Sequence, residues 1–204
     1  MIKNLVFDFG DVFINLDKKA PEQALAKMGI RQIDDEMVNW HNTYEKGLMS
    51  SEALTEHYLN KFPSLTALSF KQAWNSIILD FPQHRLDWII QLAKSKKYRL
   101  FLLSNTNDLH IEQVIKNMDA MRYSQFQNCF ERFYLSQQIH MRKPDLEIYD
   151  FVLQQDQLTA QETLFIDDTI LNTAAASSMG IHTWHLEPGK EDITQLFEIK
   201  KQLF

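Results

Sequence analysis

Short apolar runs that end in polar residues recur along this chain, and they constrain its fold more than any other feature. The first run, residues 4–7, is bounded by Asp8 and Gly10, and its length suits a buried strand better than a single helical turn. Similar runs occupy residues 98–103, 133–135, 164–166 and 181–184. Helical patterns follow these runs, and such alternation predicts an α/β fold with a parallel sheet and helices on its faces.

The interval from about residue 15 to residue 80 breaks this alternation. It has no comparable strand run, but the spacing of its apolar residues predicts helices. These helices cover residues 21–28, 35–46, 51–61 and 69–79, with Ser50 and Ser51 as suitable caps. We therefore predict a core domain made of residues 1–14 and 82–204, and a small all-helical cap made of residues 15–81 inserted after the first strand.

Composition excludes several classes of partner. The net charge is −6, and no Lys or Arg run is dense enough for a nucleic-acid or anionic-membrane surface. The single cysteine, Cys129, has no partner for an internal disulfide, and no apolar segment is long enough to cross a bilayer. We expect a cytoplasmic protein that acts on a small molecule, with no nucleic-acid or membrane partner, as a monomer or a small homo-oligomer.

Polar residues with catalytic potential follow three of the predicted strands. Asp8, Ser104 and Asp168 fall at strand ends, and open α/β sheets bind ligands at the carboxyl edge of their strands. An Asp in this position is able to attack phosphorus and form an aspartyl-phosphate that water then hydrolyses. The alternative is that Asp8 only turns the chain before Gly10.

Asp167 and Asp168 form a pair of adjacent carboxylates after the run at residues 164–166. They repel one another unless a cation or hydrogen-bond donors lie between them. Mg²⁺ is the cation that such oxygen ligands favour, because it is commonly held by one or two carboxylates and a substrate phosphate. A solvated turn that caps the next helix is the other interpretation.

Two further segments supply groups for a phosphoryl oxygen. Ser104, Asn105 and Thr106 offer short hydrogen-bonding side chains, and Lys143 offers a positive charge just before Pro144. A lone lysine is usually only solvated. The order Asp, Ser, Lys, Asp-Asp, with three of the four groups at strand ends, nevertheless favours one shared site.

Four stretches resemble the haloacid dehalogenase superfamily of hydrolases: VFDFGDVFINLD, LFLLSNTN, FYLSQQIHMRKPDLEIYDFVL and TLFIDDTILNTAAASSMGI. They are similar to subfamily IA, in the sugar-phosphate (glucose-1-phosphate) phosphatase branch with a DxGxV opening motif. The resemblance covers essentially the whole chain. It implies a Rossmann-like three-layer core with a parallel sheet, and a helical cap inserted after the first motif.

The same resemblance implies roles for individual residues. Asp8 is the nucleophile and a Mg²⁺ ligand, the backbone carbonyl of Gly10 is a further ligand, and Asp168 is the acidic ligand with Asp167 beside it as a secondary one.

Ser104 and Asn105 correspond to the phosphate-binding motif. Lys143 corresponds to the lysine that stabilises both the nucleophile and the transferring phosphoryl group.

Gly10 departs from the pattern of most phosphatases in the superfamily, which carry a second Asp two residues after the nucleophile as general acid and base. We hypothesise that Asp11, a cap residue or a metal-bound water takes this role. His140 is a second departure, since related sequences commonly have glycine there.

The leading hypothesis is Mg²⁺-dependent hydrolysis of a small phosphate monoester, such as a sugar phosphate, through an aspartyl-phosphate on Asp8. One alternative is a metal-independent haloacid dehalogenase, which the pair Asp167 and Asp168 argues against. The other is a non-catalytic module that binds phosphate esters, which Gly10 keeps open.

Overall fold

The protein is described by a computed structural model that covers residues 1–204. Five strands form a single sheet in which every neighbouring pair is parallel, in the order β3-β2-β1-β4-β5. The strands are β1 (Asn4–Phe7), β2 (Arg99–Ser104), β3 (Arg132–Leu135), β4 (Thr163–Asp167) and β5 (His182–His185). This sheet confirms the α/β fold predicted from the recurring apolar runs.

Helices pack on both faces of the sheet. Those that follow residue 80 are α5 (Gln83–Ser95), α6 (Asp108–Met118), α7 (Ala120–Gln127), α8 (Ser136–Ile139), α9 (Leu146–Gln155), α10 (Ile170–Ser178) and α11 (Leu196–Ile199). Four other helices precede residue 80 and pack on one another: α1 (Ala20–Lys27), α2 (Asp35–Glu45), α3 (Ser51–Lys61) and α4 (Ala67–Asn75). None of the helices combines the length and the apolar character needed to cross a membrane.

The central strand β1 buries side chains on both faces. Leu5 and Phe7 pack into one apolar cluster with residues of α5 and α7, whereas Val6 packs into another with residues of α9 and α10. Because successive side chains of a strand point to opposite faces, a sheet covered on both sides needs unbroken apolar strands. This three-layer packing explains why the strand runs read as continuously apolar.

The four helices that precede residue 80 have an apolar core of their own, which includes Met37, Tyr44, Tyr58 and Phe70. Ser50 caps α3 as predicted, because its hydroxyl accepts a hydrogen bond from the backbone N–H of Ala53.

Helix α4 begins and ends earlier than the predicted range of residues 69–79. Thr66 caps it and forms a capping box with Ser69, so Ser69 lies inside the first turn.

The segment after α4 pairs with the segment after β1. The backbone N–H of Asn15 donates to the carbonyl of Asp80 at 2.9 Å, and the N–H of Leu79 donates to the carbonyl of Asn15 at 3.1 Å. This pairing draws the last residues of the predicted helix out of α4. The division into a core of residues 1–14 and 82–204 and a cap of residues 15–81 stays a prediction.

Candidate active site

The carboxyl ends of the central strands bring the predicted site residues together. Strand β1 lies between β2 and β4, with Phe7 in register with Leu102 on one side and Ile166 on the other. Asp8 continues this pairing by donating its backbone N–H to the carbonyl of Ile166 at 2.8 Å. Asp8 therefore lies beside the end of β4, where Asp167 is the last residue of the strand and Asp168 begins the next loop.

Lys143 lies between two of these carboxylates. Its Nζ atom is 2.7 Å from Oδ1 of Asp8 and 2.6 Å from Oδ2 of Asp167. The lysine is only 1% exposed, so its charge is compensated by these two groups rather than by water. One buried ammonium thus holds the predicted nucleophile and one of the predicted metal ligands at fixed positions.

Asn105 fixes the backbone of Lys143. Its side-chain amide donates to the Lys143 carbonyl at 2.8 Å, and its amide oxygen accepts from the Lys143 N–H at 2.9 Å. Ser104, the last residue of β2, is buried, and its hydroxyl makes only a long 3.5 Å hydrogen bond to the Asn105 carbonyl. The predicted phosphate-binding segment therefore also positions the lysine.

Asp167 is fully buried and its two oxygens are saturated with donors. Oδ1 accepts from the backbone N–H of Thr169 at 2.8 Å, and the side-chain amide of Asn172 donates to both oxygens at 3.0 and 3.1 Å. Asn172 is therefore a supporting residue that sequence reasoning missed. Its position in the first turn of α10, five residues after Asp167, is the only signal that the sequence offers.

Asp8, Asp167 and Asp168 form a tight acidic cluster. Each offers one carboxylate oxygen, and these atoms lie within 4.8 Å of one another. Asp168 also forms an ion pair with Lys18, whose Nζ atom lies 3.0 Å from Oδ2 of Asp11. Lys18 is a second residue that the sequence reasoning did not identify, because nothing in the sequence around it separates it from a solvated lysine.

Burial and charge perturb the ionisation of these groups. Burial raises the pKa of Asp8 to about 7 against the attraction of Lys143, and the negative charge of Asp167 adds to the rise. Burial also raises the pKa of Asp168, although the contact with Lys18 opposes this. For Lys143, burial acts to lower the pKa, but Asp167 and Asp8 outweigh it and raise the pKa. The cluster thus holds more negative charge than its one buried lysine balances.

The segment after Asp8 turns sharply. The carbonyl of Gly10 accepts from the N–H of Val12 at 2.6 Å, and Asp11 has a left-handed backbone with φ of 53°. Oδ1 of Asp11 accepts from the backbone N–H of Leu16 at 3.0 Å, while Oδ2 pairs with Lys18. Both oxygens of Asp11, the predicted acid–base residue, therefore already have partners in the loop.

A cavity of about 440 Å³ opens over this cluster. Asp8, Gly10, Lys143 and Asp168 contribute to its wall from the sheet side. Glu45, the last residue of α2, contributes from the helices that precede residue 80, together with its ion-pair partner Arg142. Sequence reasoning missed both: helical periodicity does not indicate that Glu45 faces a cleft, and Arg142 lies in a loop whose side-chain contacts a single sequence does not reveal.

A model of the haloacid dehalogenase-like hydrolases matches residues 5–185 of the chain. The chain belongs to this family. Within the family, it is 31% identical to a D-ribitol-5-phosphate phosphatase of Bacteroides thetaiotaomicron over 197 residues, which cover 94% of this chain and 95% of the relative.

Solved structures of the family are similar over nearly the whole chain. A family enzyme of Bacteroides thetaiotaomicron in complex with magnesium and inorganic phosphate has a TM-score of 0.81 and 33% identity, covering 97% of this chain and all of that one. A HAD-like family hydrolase from Porphyromonas gingivalis has a TM-score of 0.81 and 28% identity, covering all of this chain and 98% of that one. These similarities confirm the Rossmann-like fold and the hydrolase class expected from the sequence.

Proposed function

We propose that this protein is a Mg²⁺-dependent phosphatase that hydrolyses a small phosphate monoester through an aspartyl-phosphate on Asp8. The observation that carries the proposal is the position of Lys143, which bridges Asp8 and Asp167 at 2.7 and 2.6 Å within the acidic cluster. A nucleophilic carboxylate, a fixed ammonium and further carboxylate ligands are the parts that phosphoryl transfer requires.

In the first step, a carboxylate oxygen of Asp8 attacks phosphorus, the bond from phosphorus to the ester oxygen breaks, and the ester oxygen takes a proton from the proposed acid, Asp11, and leaves as the alcohol. Water then attacks the phosphorus of the aspartyl-phosphate and releases inorganic phosphate and the free carboxylate. Lys143 offsets negative charge on the transferring phosphoryl oxygens, and its hydrogen bond to Oδ1 orients Asp8. Ser104 and Asn105 complete the proposed phosphate-binding segment.

The donor set of the acidic cluster fits Mg²⁺. Asp8, Asp168 and the carbonyl of Gly10 are the proposed ligands, with Asp167 in a supporting position. Oxygen atoms are the ligands that this ion prefers, and its charge favours the ionised form of Asp8, whose pKa burial raises to about 7. When bound, Mg²⁺ would offset the negative charge of the nucleophile and of the substrate phosphate.

The acid–base group is proposed to be Asp11, since Gly10 has no side chain to protonate the leaving oxygen. Asp11 must then exchange its contact with Lys18 for one with the substrate or with a water molecule. Asp11→Asn tests this role: slower turnover of an alkyl phosphate, but not of an activated aryl phosphate, is expected. Unchanged turnover of the alkyl ester would remove Asp11 from the mechanism.

The proposed substrate is a phosphorylated small metabolite of the sugar or polyol class. The relative that acts on D-ribitol 5-phosphate supports this choice, as does a cavity of about 440 Å³, which suits a ligand of that size. We place this activity in the cytoplasm, where a chain with the single free thiol of Cys129 stays reduced.

The proposal is tested by phosphate release with and without Mg²⁺, from an aryl phosphate and from a pentitol phosphate. Release from both esters should require Mg²⁺ and should vanish in Asp8→Asn. The matched control is Asp150→Asn, because Asp150 is exposed on α9 and its carboxylate contacts only Gln154. Absence of release from the wild type would refute the phosphatase, and halide release from a haloacid without Mg²⁺ would favour the dehalogenase instead.

A further inference from the structure

Two charged residues of the cavity have no part in the proposed chemistry. Glu45 and Arg142 line its wall together with Asp8, Lys143 and Asp168. The Glu45 side chain is only 27% exposed. A partly buried carboxylate beside a catalytic cavity loses part of its hydration, so its role there needs explanation.

Arg142 engages only one oxygen of Glu45. Its Nε and Nη2 atoms lie 3.0 and 2.9 Å from the same atom, Oε2. No protein group donates a hydrogen bond to Oε1, which is free to accept one from a ligand. Burial raises the pKa of Glu45, and Arg142 and Lys143 oppose that rise by favouring the carboxylate.

The end of α2 is fixed to the loop that carries Lys143. Lys46 forms an ion pair with Asp145 at 3.0 Å, and the Lys46 carbonyl accepts from Nδ1 of His140 at 2.8 Å. Gly47 packs so closely on the backbone of Gln137 that an added Cβ would lie 2.0 Å from its carbonyl oxygen. Glu45 is therefore held at a set position relative to the nucleophile, which favours precise ligand recognition.

The geometry of phosphoryl transfer indicates what Glu45 meets. The nucleophile and the leaving oxygen lie roughly in line on opposite sides of phosphorus. Since Asp8 approaches from the sheet edge, the leaving alcohol extends away from that edge, toward the helices that include α2. Among the atoms of the substrate, those of the leaving alcohol are therefore the ones that extend toward Glu45.

We infer that Glu45, held by Arg142, accepts a hydrogen bond from a hydroxyl group of the leaving alcohol and thereby selects uncharged polyhydroxy alcohol phosphates. This inference rests on the proposed phosphatase function. The same carboxylate repels leaving alcohols that carry a carboxylate or a second phosphate group. Glu45 is a specificity-determining residue and takes no part in proton transfer.

Three phosphate esters distinguish recognition of a hydroxyl group by Glu45 from proton transfer by Glu45 and from an indirect effect of Glu45 on the reactive centre. An aryl phosphate has a good leaving group and no free hydroxyl, n-pentyl phosphate has a poor leaving group and no free hydroxyl, and a pentitol phosphate has a poor leaving group and several hydroxyls. Steady-state kcat and KM are measured with saturating Mg²⁺ for the wild type and for Glu45→Gln. Glu56→Gln is the matched control, because Glu56 is an exposed residue of α3 that forms no ion pair.

We expect Glu45→Gln to raise KM for the pentitol phosphate about tenfold, since a charge-assisted hydrogen bond is lost. The other two esters should change less than about twofold, and Glu56→Gln should change none. A fourth ester, the phosphate of a hydroxy acid, should become a better substrate of Glu45→Gln than of the wild type.

Three results would overturn the inference. A fall in kcat for both alkyl esters, but not for the aryl ester, would make Glu45 the general acid. An equal fall for all three would mean that Glu45 acts on the reactive centre through Arg142 and Lys143. Unchanged kinetics for the pentitol phosphate would leave Glu45 without a role in recognition. Failure of the wild type on every ester would instead refute the proposed function itself.

Discussion

Lys18 and Asp168 form an ion pair that joins the loop after β1 to the loop after β4. Lys18 also lies 3.0 Å from Asp11, and its side chain is about half exposed. The ammonium group therefore occupies an oxygen of a proposed Mg²⁺ ligand, so the lysine and the metal compete for Asp168. A tethered cation of this kind lowers the repulsion within the acidic cluster when no metal is bound.

We predict that Lys18→Met binds Mg²⁺ more tightly than the wild type does. Loss of the competing cation should lower the dissociation constant about threefold to tenfold, a range that suits a partly exposed ion pair. Isothermal titration of Mg²⁺ into the substrate-free protein measures this directly. Lys19→Met is the control, because Lys19 is exposed and forms no ion pair. Equal or weaker Mg²⁺ binding by Lys18→Met would contradict the prediction.

Lys143→Met should be strongly destabilised as well as inactive. The change leaves Asp8 and Asp167 facing one another without their buried counter-ion, and breaking a buried ion pair in this way costs about 3–5 kcal/mol. Urea unfolding in the absence of Mg²⁺ gives the free energy of unfolding. The double variant Lys143→Met/Asp8→Asn should recover part of the loss, because one of the two opposed charges is gone. A single variant as stable as the wild type would show that the ion pairs do not support the fold.

The sequence predicts the sheet edge well, but it does not predict what faces that edge. Asp8 and Asp168 could be placed because the polar ends of parallel strands must meet, whatever the packing around them. The role of Lys143 is predicted from the order of its motif in the chain and from the family resemblance. Glu45 and Lys18 were missed, because their positions depend on how the helices after β1 lie over the sheet. Periodicity within one helix does not contain that information.

The contacts of His140 show the same limit of sequence-based prediction at a single residue. Its backbone is left-handed, with φ of 59°, a conformation that glycine adopts without steric cost. The family resemblance implies glycine at this position, so the sequence already indicates His140 as a departure from the family pattern. The contact of His140 with the Lys46 carbonyl requires the packing of α2 on the loop after α8, which a single sequence does not reveal.

Gly10→Asp should add a second acid–base group beside Asp11, whose two oxygens are engaged by the Leu16 N–H and Lys18, at a cost in stability. A Cβ atom at residue 10 would lie 2.7 Å from Cδ1 of Leu16, so the leucine side chain must shift, and we expect a loss of about 1 kcal/mol in the free energy of unfolding. Turnover of n-pentyl phosphate should nevertheless rise about tenfold or more, because the new carboxyl group can protonate the leaving oxygen.

Gly10→Asn is the control for this variant, since the asparagine side chain has nearly the same shape as aspartic acid but cannot act as a general acid. It should show the same loss of stability without the gain in turnover. Adding Leu16→Ala to Gly10→Asp should cost less than the sum of the two single changes, because the close contact is removed. If Gly10→Asn accelerates turnover as much as Gly10→Asp does, the gain does not come from proton transfer.

Two half-buried histidines, His41 and His110, should contribute a dependence of stability on pH below neutrality. Burial lowers the pKa of His41 and of His110 from 6.5 to about 4 in each case. His110 accepts from the Asn107 amide at Nδ1 and donates to the Trp74 carbonyl from Nε2, an arrangement that only the neutral ring allows. The unfolded chain therefore binds protons at these residues at a higher pH than the folded protein does.

This difference in proton binding lowers the contribution of the two histidines to the free energy of unfolding as the pH drops from 6.5 toward 4, whereas Asp8, whose pKa is raised to about 7, acts in the opposite direction in the metal-free protein. The stabilisation is fully present above 6.5, and each histidine contributes a slope of at most about 1.4 kcal/mol per pH unit within the window. Urea unfolding of metal-free protein at several pH values measures the slope. His110→Gln should remove from this slope the contribution of one histidine. His182→Gln, which changes an exposed histidine, should leave the slope unchanged. A slope that His110→Gln does not reduce would show that His110 takes up its proton equally in the folded and unfolded states.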